Sequence, residues 1–183
     1  MREVVILIGV LAVVVLAVGF YRFGPAALAM YRKFGGRRLV TCPQTHEAAA
    51  VTIDARHAAF TSVTGEARLR VNDCSRWPER HDCGQGCLAE IAAAPVGRLV
   101  QTIVENWYRA KVCVLCRRAI LGADGSLRSA ALMAPDRKTM EWSDVQPEDL
   151  PTVLQSHQPL CWSCHVTETF RRLHPDLVLE RPR

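Results

Sequence analysis

The sequence predicts an α+β protein in which an N-terminal transmembrane helix precedes a small metal-stabilised domain with antiparallel strands and short helices. Three observations lead to this fold class. Residues 4–20 contain neither charge nor proline, short β-type and helical segments follow them, and eight cysteines are present in 183 residues. Because a domain of this size buries only a modest core, here rich in alanine, metal ligation by cysteines is expected to supplement it.

The apolar stretch 4–20, extended by Tyr21, is just long enough to cross a hydrocarbon core of roughly 30 Å as a helix. A cleaved signal peptide is the alternative, and Ala-Leu-Ala at 27–29 resembles a cleavage site. That tripeptide lies late and is followed by basic residues. We therefore predict a retained transmembrane anchor at 1–21.

Charge is distributed very unevenly along the chain. Residues 1–38 hold six of the 23 lysines and arginines but one of the 18 acids, which leaves 17 of each sign in residues 39–183. A nucleic-acid-binding domain would carry its own basic excess, so nucleic acid is not an expected partner. The basic segment 22–38 is instead predicted to contact anionic lipid headgroups.

The same charges predict the orientation in the membrane. Five of the six basic residues follow the apolar stretch, and the positive-inside tendency places that side in the cytoplasm. We expect a single-pass protein of a bacterial inner membrane with residues 39–183 in the cytosol. Structural disulfides and covalently attached haem belong to the opposite, exported side.

Residues 39–183 are predicted to form one cysteine-rich domain that begins with a small antiparallel sheet. Its strands are expected at 38–42, 50–54, 58–63 and 67–71. A short helix at 86–94 and a longer one at 98–111 follow. In the longer helix Leu99, Ile103 and Trp107 recur every four residues and predict a face that packs on the core.

The last third of the chain predicts a hairpin and further helices. After a turn at 121–126, the runs 127–134 and 138–145 flank Pro135-Asp136 as the two strands. Pro147 and Pro151 then open short helices. The final helix is expected to begin at Cys161 and to pack inward through Val166 and Phe170.

Four cysteines form two C-x-x-C pairs and predict a zinc site in the subsite 113–164. Two thiolates three residues apart on a tight turn face one metal ion, and two such turns complete a tetrahedral site. The predicted ligands are Cys113, Cys116, Cys161 and Cys164.

The order of elements over residues 113–173 resembles the treble-clef arrangement of zinc fingers. A C-x-x-C turn, a loop and a predicted hairpin precede a second C-x-x-C at the start of a helix. In that arrangement the helix N-terminus favours the thiolate form of the last two ligands. The 44 residues between the pairs, 117–160, exceed those of a minimal finger, so the resemblance is one of arrangement.

The other four cysteines predict a second zinc ion in the subsite 42–87. Cys83 and Cys87 lie at the start of a predicted helix, while Cys42 and Cys74 each lie at the edge of a predicted strand. Two of these ligands lack paired spacing, and His46 or His81 could replace one of them. The predicted ligands are Cys42, Cys74, Cys83 and Cys87.

A divalent ion with four thiolates carries a net charge of −2, and paired arginines follow both C-x-x-C motifs. Arg117 and Arg118 follow the first, and Arg171 and Arg172 lie two turns after the second. They could balance this charge, or they could be solvated surface residues.

Three other uses of the cysteines are less favoured. Disulfides suit an even count in an exported domain, but C-x-x-C bridges are usually redox-active rather than structural. The closely spaced cysteines of ferredoxin-type iron–sulfur proteins are absent. A thioredoxin-like motif would follow a strand in a βαβ unit, which the sequence does not predict.

Covalent haem is the principal alternative. Cys161, Cys164 and His165 form C-x-x-C-H, the pattern of c-type haem attachment, and a membrane-anchored monohaem electron carrier would use it. The second axial ligand would come from one of four residues, His157, His174, Met133 or Met140. This interpretation leaves six cysteines without a role. If the site binds zinc instead, His165 would be a surface residue or a neighbour of a thiolate.

No G-x-S-x-G, H-E-x-x-H or phosphate-loop pattern occurs, so no catalytic residue is assigned and an enzyme is not expected. The apolar N-terminus with "CSRWPER", "CGQGCL" and "CWSCHVTETFRRLHPDLV" is similar to a set of uncharacterised bacterial membrane-anchored, cysteine-rich proteins. That resemblance implies no activity. We expect docking or scaffolding at the membrane surface, with another protein as partner.

Overall fold

The computed structural model describes residues 2–77, 82–120, 127 and 130–177. The chain folds as two compact units, Met1–Arg37 with Val51–Val96, and Arg38–Ala50 with Gly97–Arg183. Both helices and small antiparallel sheets are present, which confirms the mixed fold class that the sequence predicts. The predicted turn at 121–126 and His81 lie outside the described residues.

The first unit begins with α1 (Arg2–Phe34), a helix of 33 residues that continues through Pro25. Its most apolar 18-residue window has a mean hydropathy of 3.0, and none of that window is buried. The helix is long and apolar enough to cross a membrane, although a signal sequence near the N-terminus would meet the same criterion. About 50 Å long at 1.5 Å per residue, α1 exceeds the thickness of a hydrocarbon core.

The C-terminal part of α1 packs against α2 (Ala55–Thr64). The alanines of α2 that face the interior are Ala55, Ala58 and Ala59. The least exposed residues in this part of α1 recur every three or four positions and are Gly24, Ala27, Met30 and Phe34. The sides that the two helices turn away from solvent thus consist largely of small residues, with Met30 and Phe34 as the exceptions.

The predicted strand at 58–63 is wrong, because these residues belong to α2. Asp54 caps the helix by accepting a hydrogen bond from the His57 N–H at 2.9 Å, and its carboxylate also pairs with Arg70. Thr61 is β-branched and favours strands, but here it donates its hydroxyl to the His57 carbonyl at 2.9 Å. A cap and an alanine-rich face therefore outweigh local β propensity.

The rest of the first unit contains a short strand pairing and one helix. The second half of β2 (Ala48–Ile53) pairs antiparallel with β3 (Val71–Cys74), with Val51 opposite Cys74. Of the strand predicted at 67–71, only the last residue, Val71, is in a strand, where it begins β3. The helix predicted at 86–94 is confirmed as α3 (Cys87–Ala93).

The second unit contains β1 (Arg37–Thr41) from Arg38 onward, and this strand leads into the first half of β2 through a turn. In that turn the Cys42 N–H donates to the Glu47 carbonyl at 2.8 Å. Arg38, which the sequence assigned to a lipid-contacting basic segment, is fully buried, and burial lowers the pKa of its guanidinium. Arg38 is therefore not available to lipid headgroups.

The remaining helices and the second sheet follow α4 (Val100–Tyr108). The sheet has the order β5-β4-β6 and is antiparallel throughout. Its strands are β4 (Ala130–Met133), β5 (Thr139–Glu141) and β6 (Gln158–Cys161). Two further helices are α5 (Leu150–Ser156) and α6 (Trp162–Leu173), and short 3-10 turns lie at Trp142–Asp144, Pro147–Asp149 and Pro175–Leu177.

The predicted hairpin is confirmed as β4 and β5, but β6 is not predicted by the sequence. Pro159 lies inside this strand, and a proline argues against a strand assignment. The strand pairs only with β4 in its sheet, so it occupies an edge, where a missing N–H is tolerated.

Helix α6 is confirmed, but its predicted orientation is wrong. Val166 and Phe170 were expected to pack inward, yet they are 48% and 46% exposed. The face of α6 that is less exposed contains Cys164, His165 and Thr169. The Thr169 hydroxyl lies 3.1 Å from that of Thr139 on β5, so a polar contact holds this face against the sheet.

The core of the second unit surrounds Tyr108, which is completely buried at the end of α4. Its ring stacks edge-on against Trp107 with centroids 4.8 Å apart, and its hydroxyl donates to the Ala131 carbonyl of β4. Burial raises the pKa of the Tyr108 phenol. The other core residues include Val104, Cys113, Ile120, Leu132, Leu150 and Leu160.

Replacing Tyr108 with Phe should lower the free energy of unfolding by about 1 kcal/mol, because the hydroxyl lost is a buried donor. Urea unfolding of the detergent-solubilised full chain, followed by near-ultraviolet circular dichroism, measures this change. Tyr31→Phe, at an exposed position of α1, is the matched control and should change nothing. Equal stability of the two variants would contradict a structural role for the Tyr108 hydroxyl.

Candidate metal centre

Four cysteine side chains from two distant parts of the second unit come together at one point. The Sγ atoms of Cys113, Cys116, Cys161 and Cys164 all lie within 4.8 Å of one another. Those of Cys116 and Cys161 are 3.6 Å apart. A tetrahedral zinc ion with Zn–S bonds of about 2.3 Å requires S···S edges of about 3.8 Å, so the cluster has nearly the size that such an ion needs.

Cys113 and Cys116 lie on a tight turn that the backbone closes. The Cys113 N–H donates to the Arg118 carbonyl at 2.8 Å, and the Arg117 N–H donates to the Cys113 carbonyl at 2.9 Å. Val112 and Ala119 form an antiparallel bridge at the base of the turn. Arg117 has a φ of 63°, the left-handed conformation that glycine adopts most easily.

The other two cysteines lie at the start of α6. Cys161 ends β6 and is the N-cap of the helix, and Cys164 lies in its first turn. A helix N-terminus stabilises negative charge through its dipole and its free N–H groups. The position that the sequence predicted for these two ligands, on a helix's first turn, is therefore present in the structure.

The turn is attached to the sheet at β6. The Val114 N–H donates to the Pro159 carbonyl at 3.0 Å, which brings the turn beside the strand that ends in Cys161. Cys113 is completely buried and belongs to the core, whereas Cys116 is exposed. A metal ion could therefore enter from the side of Cys116, and the opposite side of the site faces the core.

The electrostatics of the cluster favour a cation. Burial raises the pKa of the Cys113 thiol, but the N–H groups of Cys116, Cys161 and Leu115 outweigh it and hold the pKa at about 6. Burial and the neighbouring sulfurs raise the pKa of Cys161 and Cys164. Four thiolates this close repel one another, and a divalent ion between them removes the repulsion.

The C-x-x-C spacing predicts N–H groups beside the thiolates, but it does not predict that those of Leu115 and Cys161 face Cys113. These N–H groups belong to the backbone, and the pattern of side chains does not predict which sulfur a backbone N–H will face. The only sequence signal is the C-x-x-C spacing itself, which is typical of turns whose N–H groups approach the first sulfur.

The second predicted set of ligands is distributed over both units. Cys74 ends β3, Cys83 precedes α3 and Cys87 begins it, all in the first unit, whereas Cys42 follows β1 in the second unit. The Cys83 sulfur lies 3.4 Å from the Gln85 nitrogen and accepts its N–H. The subsite 42–87 and its zinc ion stay a prediction.

His165, the third residue of the haem pattern, follows Cys164 in α6. Its ring lies against Trp162 with centroids 5.2 Å apart. Its Nδ1 atom is buried without a hydrogen-bond partner among the described residues. Of the four candidate second ligands, His157 has its Nδ1 atom 2.9 Å from the Ser156 hydroxyl, and His174 lies against the Phe170 ring.

The arginines near the cluster differ in their surroundings. Arg171 forms an ion pair with Glu168 at 3.0 Å, so its charge is partly balanced within α6. In the described part of the structure, Arg117, Arg118 and Arg172 form no ion pair. All four side chains belong to exposed residues, and charge balance for the cluster stays a prediction.

A cleft of about 420 Å³ lies beside the turn that carries Cys113 and Cys116. Its walls are mostly apolar and come from the turn and from the end of β4, with polar groups where α5 meets β6. The residues that line it are Val114, Leu115, Met133, Ala134, Pro135, Arg137, Ser156 and Gln158.

Comparisons of the chain with protein-family models, with curated proteins and with solved structures found no match. The likeness to a treble clef and the likeness to bacterial membrane-anchored proteins both stay predictions.

Replacing Arg117 with Gly should raise the free energy of unfolding by up to about 1 kcal/mol, because glycine adopts a positive φ without the Cβ clash. Arg117→Lys keeps the charge and the Cβ and should leave stability unchanged. Urea unfolding of the metal-loaded chain compares the two. A loss of metal affinity in Arg117→Gly but not in Arg117→Lys would instead show that the positive charge at position 117 balances the thiolates.

Proposed function

We propose that this protein is a membrane-anchored zinc-binding protein whose four-cysteine domain has a docking or scaffolding role at the membrane surface. The observation that carries the proposal is the meeting of four sulfurs within 4.8 Å. The two pairs come from positions 45 residues apart, as Cys116 and Cys161 are. A thiol cluster assembled over that distance is best explained by a ligand that all four share.

Zinc is the metal that the site suits best. Four sulfur donors in a tetrahedron select zinc or iron among the common biological metals. A set of four protein ligands leaves no open coordination position, which is typical of structural rather than catalytic zinc. The metal would join the turn at Cys113, the end of β6 and the start of α6 into one body.

The geometry offers little support for a c-type haem. Attachment would place a porphyrin against the sulfurs of Cys161 and Cys164, where the sulfur of Cys116 already lies 3.6 Å from that of Cys161. The haem could enter only if the whole turn at 113–118 moved away. That movement would break the hydrogen bond from the Val114 N–H to the Pro159 carbonyl of β6. The haem alternative therefore requires rearrangement that the zinc proposal does not.

The remaining parts of the proposal concern the membrane and a second ion. Helix α1 would be the single-pass anchor, with the domain on the cytoplasmic side, and residues Cys42, Cys74, Cys83 and Cys87 would hold a second zinc. The partner would be another protein, and the cleft beside the turn, with its apolar walls and Arg137, supports docking of an apolar side chain. No catalytic step is proposed.

Zinc content is the direct test. The purified full chain should contain tightly bound zinc without visible absorption, whereas an iron–thiolate site would be coloured. Cys116→Ser changes an exposed ligand and should weaken zinc binding at least tenfold. Ser163→Ala, inside the second C-x-x-C motif, is the matched control and should bind zinc normally.

Chelation extends the same experiment to the fold. Because metal binding and folding are coupled in such sites, removal of zinc should abolish the near-ultraviolet signal of Trp107 and Tyr108. Cys74→Ser with Cys83→Ser should remove a second, separate share of zinc if the subsite 42–87 is a site. A metal-free chain that keeps its fold with its cysteines paired would overturn the proposal.

Haem is tested by a peroxidase stain after denaturing electrophoresis, because thioether-bound haem survives denaturation. We expect no stain when the chain is produced with a haem-attachment system present. A stain that disappears in Cys161→Ser would replace the zinc proposal with a c-type cytochrome.

A further inference from the structure

Helix α6 presents a row of large apolar side chains to solvent. Its members are spaced by four, four and three residues and therefore share one face of the helix. The row continues into the 3-10 turn that follows. The residues are Trp162, Val166, Phe170, Leu173 and Leu177, each between 40% and 65% exposed. We call this row the α6 stripe.

The stripe cannot turn inward while the cysteine cluster is assembled. Cys161 and Cys164 must face the turn at 113–118, and this requirement fixes the rotation of α6 about its axis. The contact between Thr169 and Thr139, 3.1 Å between their hydroxyls, holds the same rotation further along the helix. The outward direction of the stripe is therefore a consequence of the cysteine cluster.

The size of the stripe is that of a functional patch. Five large side chains that are about half exposed offer on the order of 500 Å² of apolar surface. Apolar patches of this size on a monomer are often functional. Because area alone does not choose between a second copy of the chain and a lipid surface, the charges around the stripe decide which partner it fits.

The charges around the stripe match an anionic surface. Trp162 follows Cys161, whose sulfur lies 3.6 Å from that of Cys116, and Arg117 and Arg118 follow Cys116 in the chain. Arg172, which forms no ion pair in the described part of the structure, lies near the other end of the helix, beside Arg171, which pairs with Glu168. Guanidinium groups near both ends of an apolar row, with a tryptophan in it, are typical of helices that lie in the headgroup region of a bilayer.

We propose that α6 lies in the interface of an anionic bilayer, with the stripe among the upper acyl chains and the arginines at the headgroups. This inference rests on the proposed membrane anchoring by α1. A tethered domain meets lipid at a high effective concentration, so a patch too small to bind lipid alone is sufficient. The docking surface of the protein would then be held at a fixed orientation to the membrane.

Tryptophan fluorescence tests this proposal on the full chain. None of the four tryptophans lies in α1, so the anchor adds no signal of its own. The zinc-loaded protein is reconstituted into vesicles of phosphatidylcholine and phosphatidylglycerol, with or without brominated acyl chains. The difference between the native chain and Trp162→Phe isolates the emission of Trp162.

In vesicles that contain phosphatidylglycerol, brominated lipid should quench most of the Trp162 emission. In vesicles of phosphatidylcholine alone, it should quench less of that emission. Phe170→Glu combined with Leu173→Glu should abolish the quenching. Thr167→Glu adds one charge at an exposed position of α6 outside the stripe and should preserve it. Near-ultraviolet circular dichroism and zinc content confirm that each variant is folded.

Equal Trp162 emission with and without brominated lipid would overturn the inference. If the emission is equal and the protein also forms a dimer that Phe170→Glu dissociates, the stripe binds a second copy of the chain. Zinc content measured on the same vesicles separates the two proposals. A zinc-loaded chain without quenching refutes only the lipid contact, whereas quenching without zinc refutes only the metal site.

Discussion

The cluster of Cys113, Cys116, Cys161 and Cys164 is the constraint on which the second unit depends. It joins a turn after α4 to the junction of β6 and α6, two segments that are distant in the chain. Closing so long a loop costs conformational entropy, although the cost grows only slowly with loop length. A metal ion bound by all four thiolates would offset that cost, because its binding free energy is available only when the loop is closed.

The core next to this cluster shows why such a cross-link is useful. Strand β4 is fully buried, but two of its four residues are alanines, and the completely buried Tyr108 donates a hydrogen bond to one of them, Ala131. Alanine contributes little apolar area, so burial alone stabilises the sheet weakly. Cys113 is part of this core, and ligation there would add stabilisation where the apolar side chains are smallest.

The same constraint links the cysteine cluster to the surface of the domain. Because Cys161 and Cys164 must face the turn, the polar side of α6 packs on the sheet and its apolar side faces outward. A helix that was free to rotate would bury Phe170 and expose Glu168 to water. The exposed α6 stripe, the basic residues near its ends and the apolar helix α1 together favour a protein that works at a membrane surface.

The sequence by itself determined the apolar helix, the hairpin of β4 and β5, and the four cysteines that meet, because periodicity and C-x-x-C spacing are local properties. It did not determine that residues 58–63 are helical, that Gln158–Cys161 is a strand, or that Phe170 faces outward. Those features were decided by a cap at Asp54, by an edge position beside β4 and by the geometry of the cysteine cluster. The cap at Asp54 is local, but it competes with the β propensity of the same residues, and the sequence alone does not decide which prevails. The other two features depend on groups that are distant in sequence, and only the tertiary structure brings such groups together.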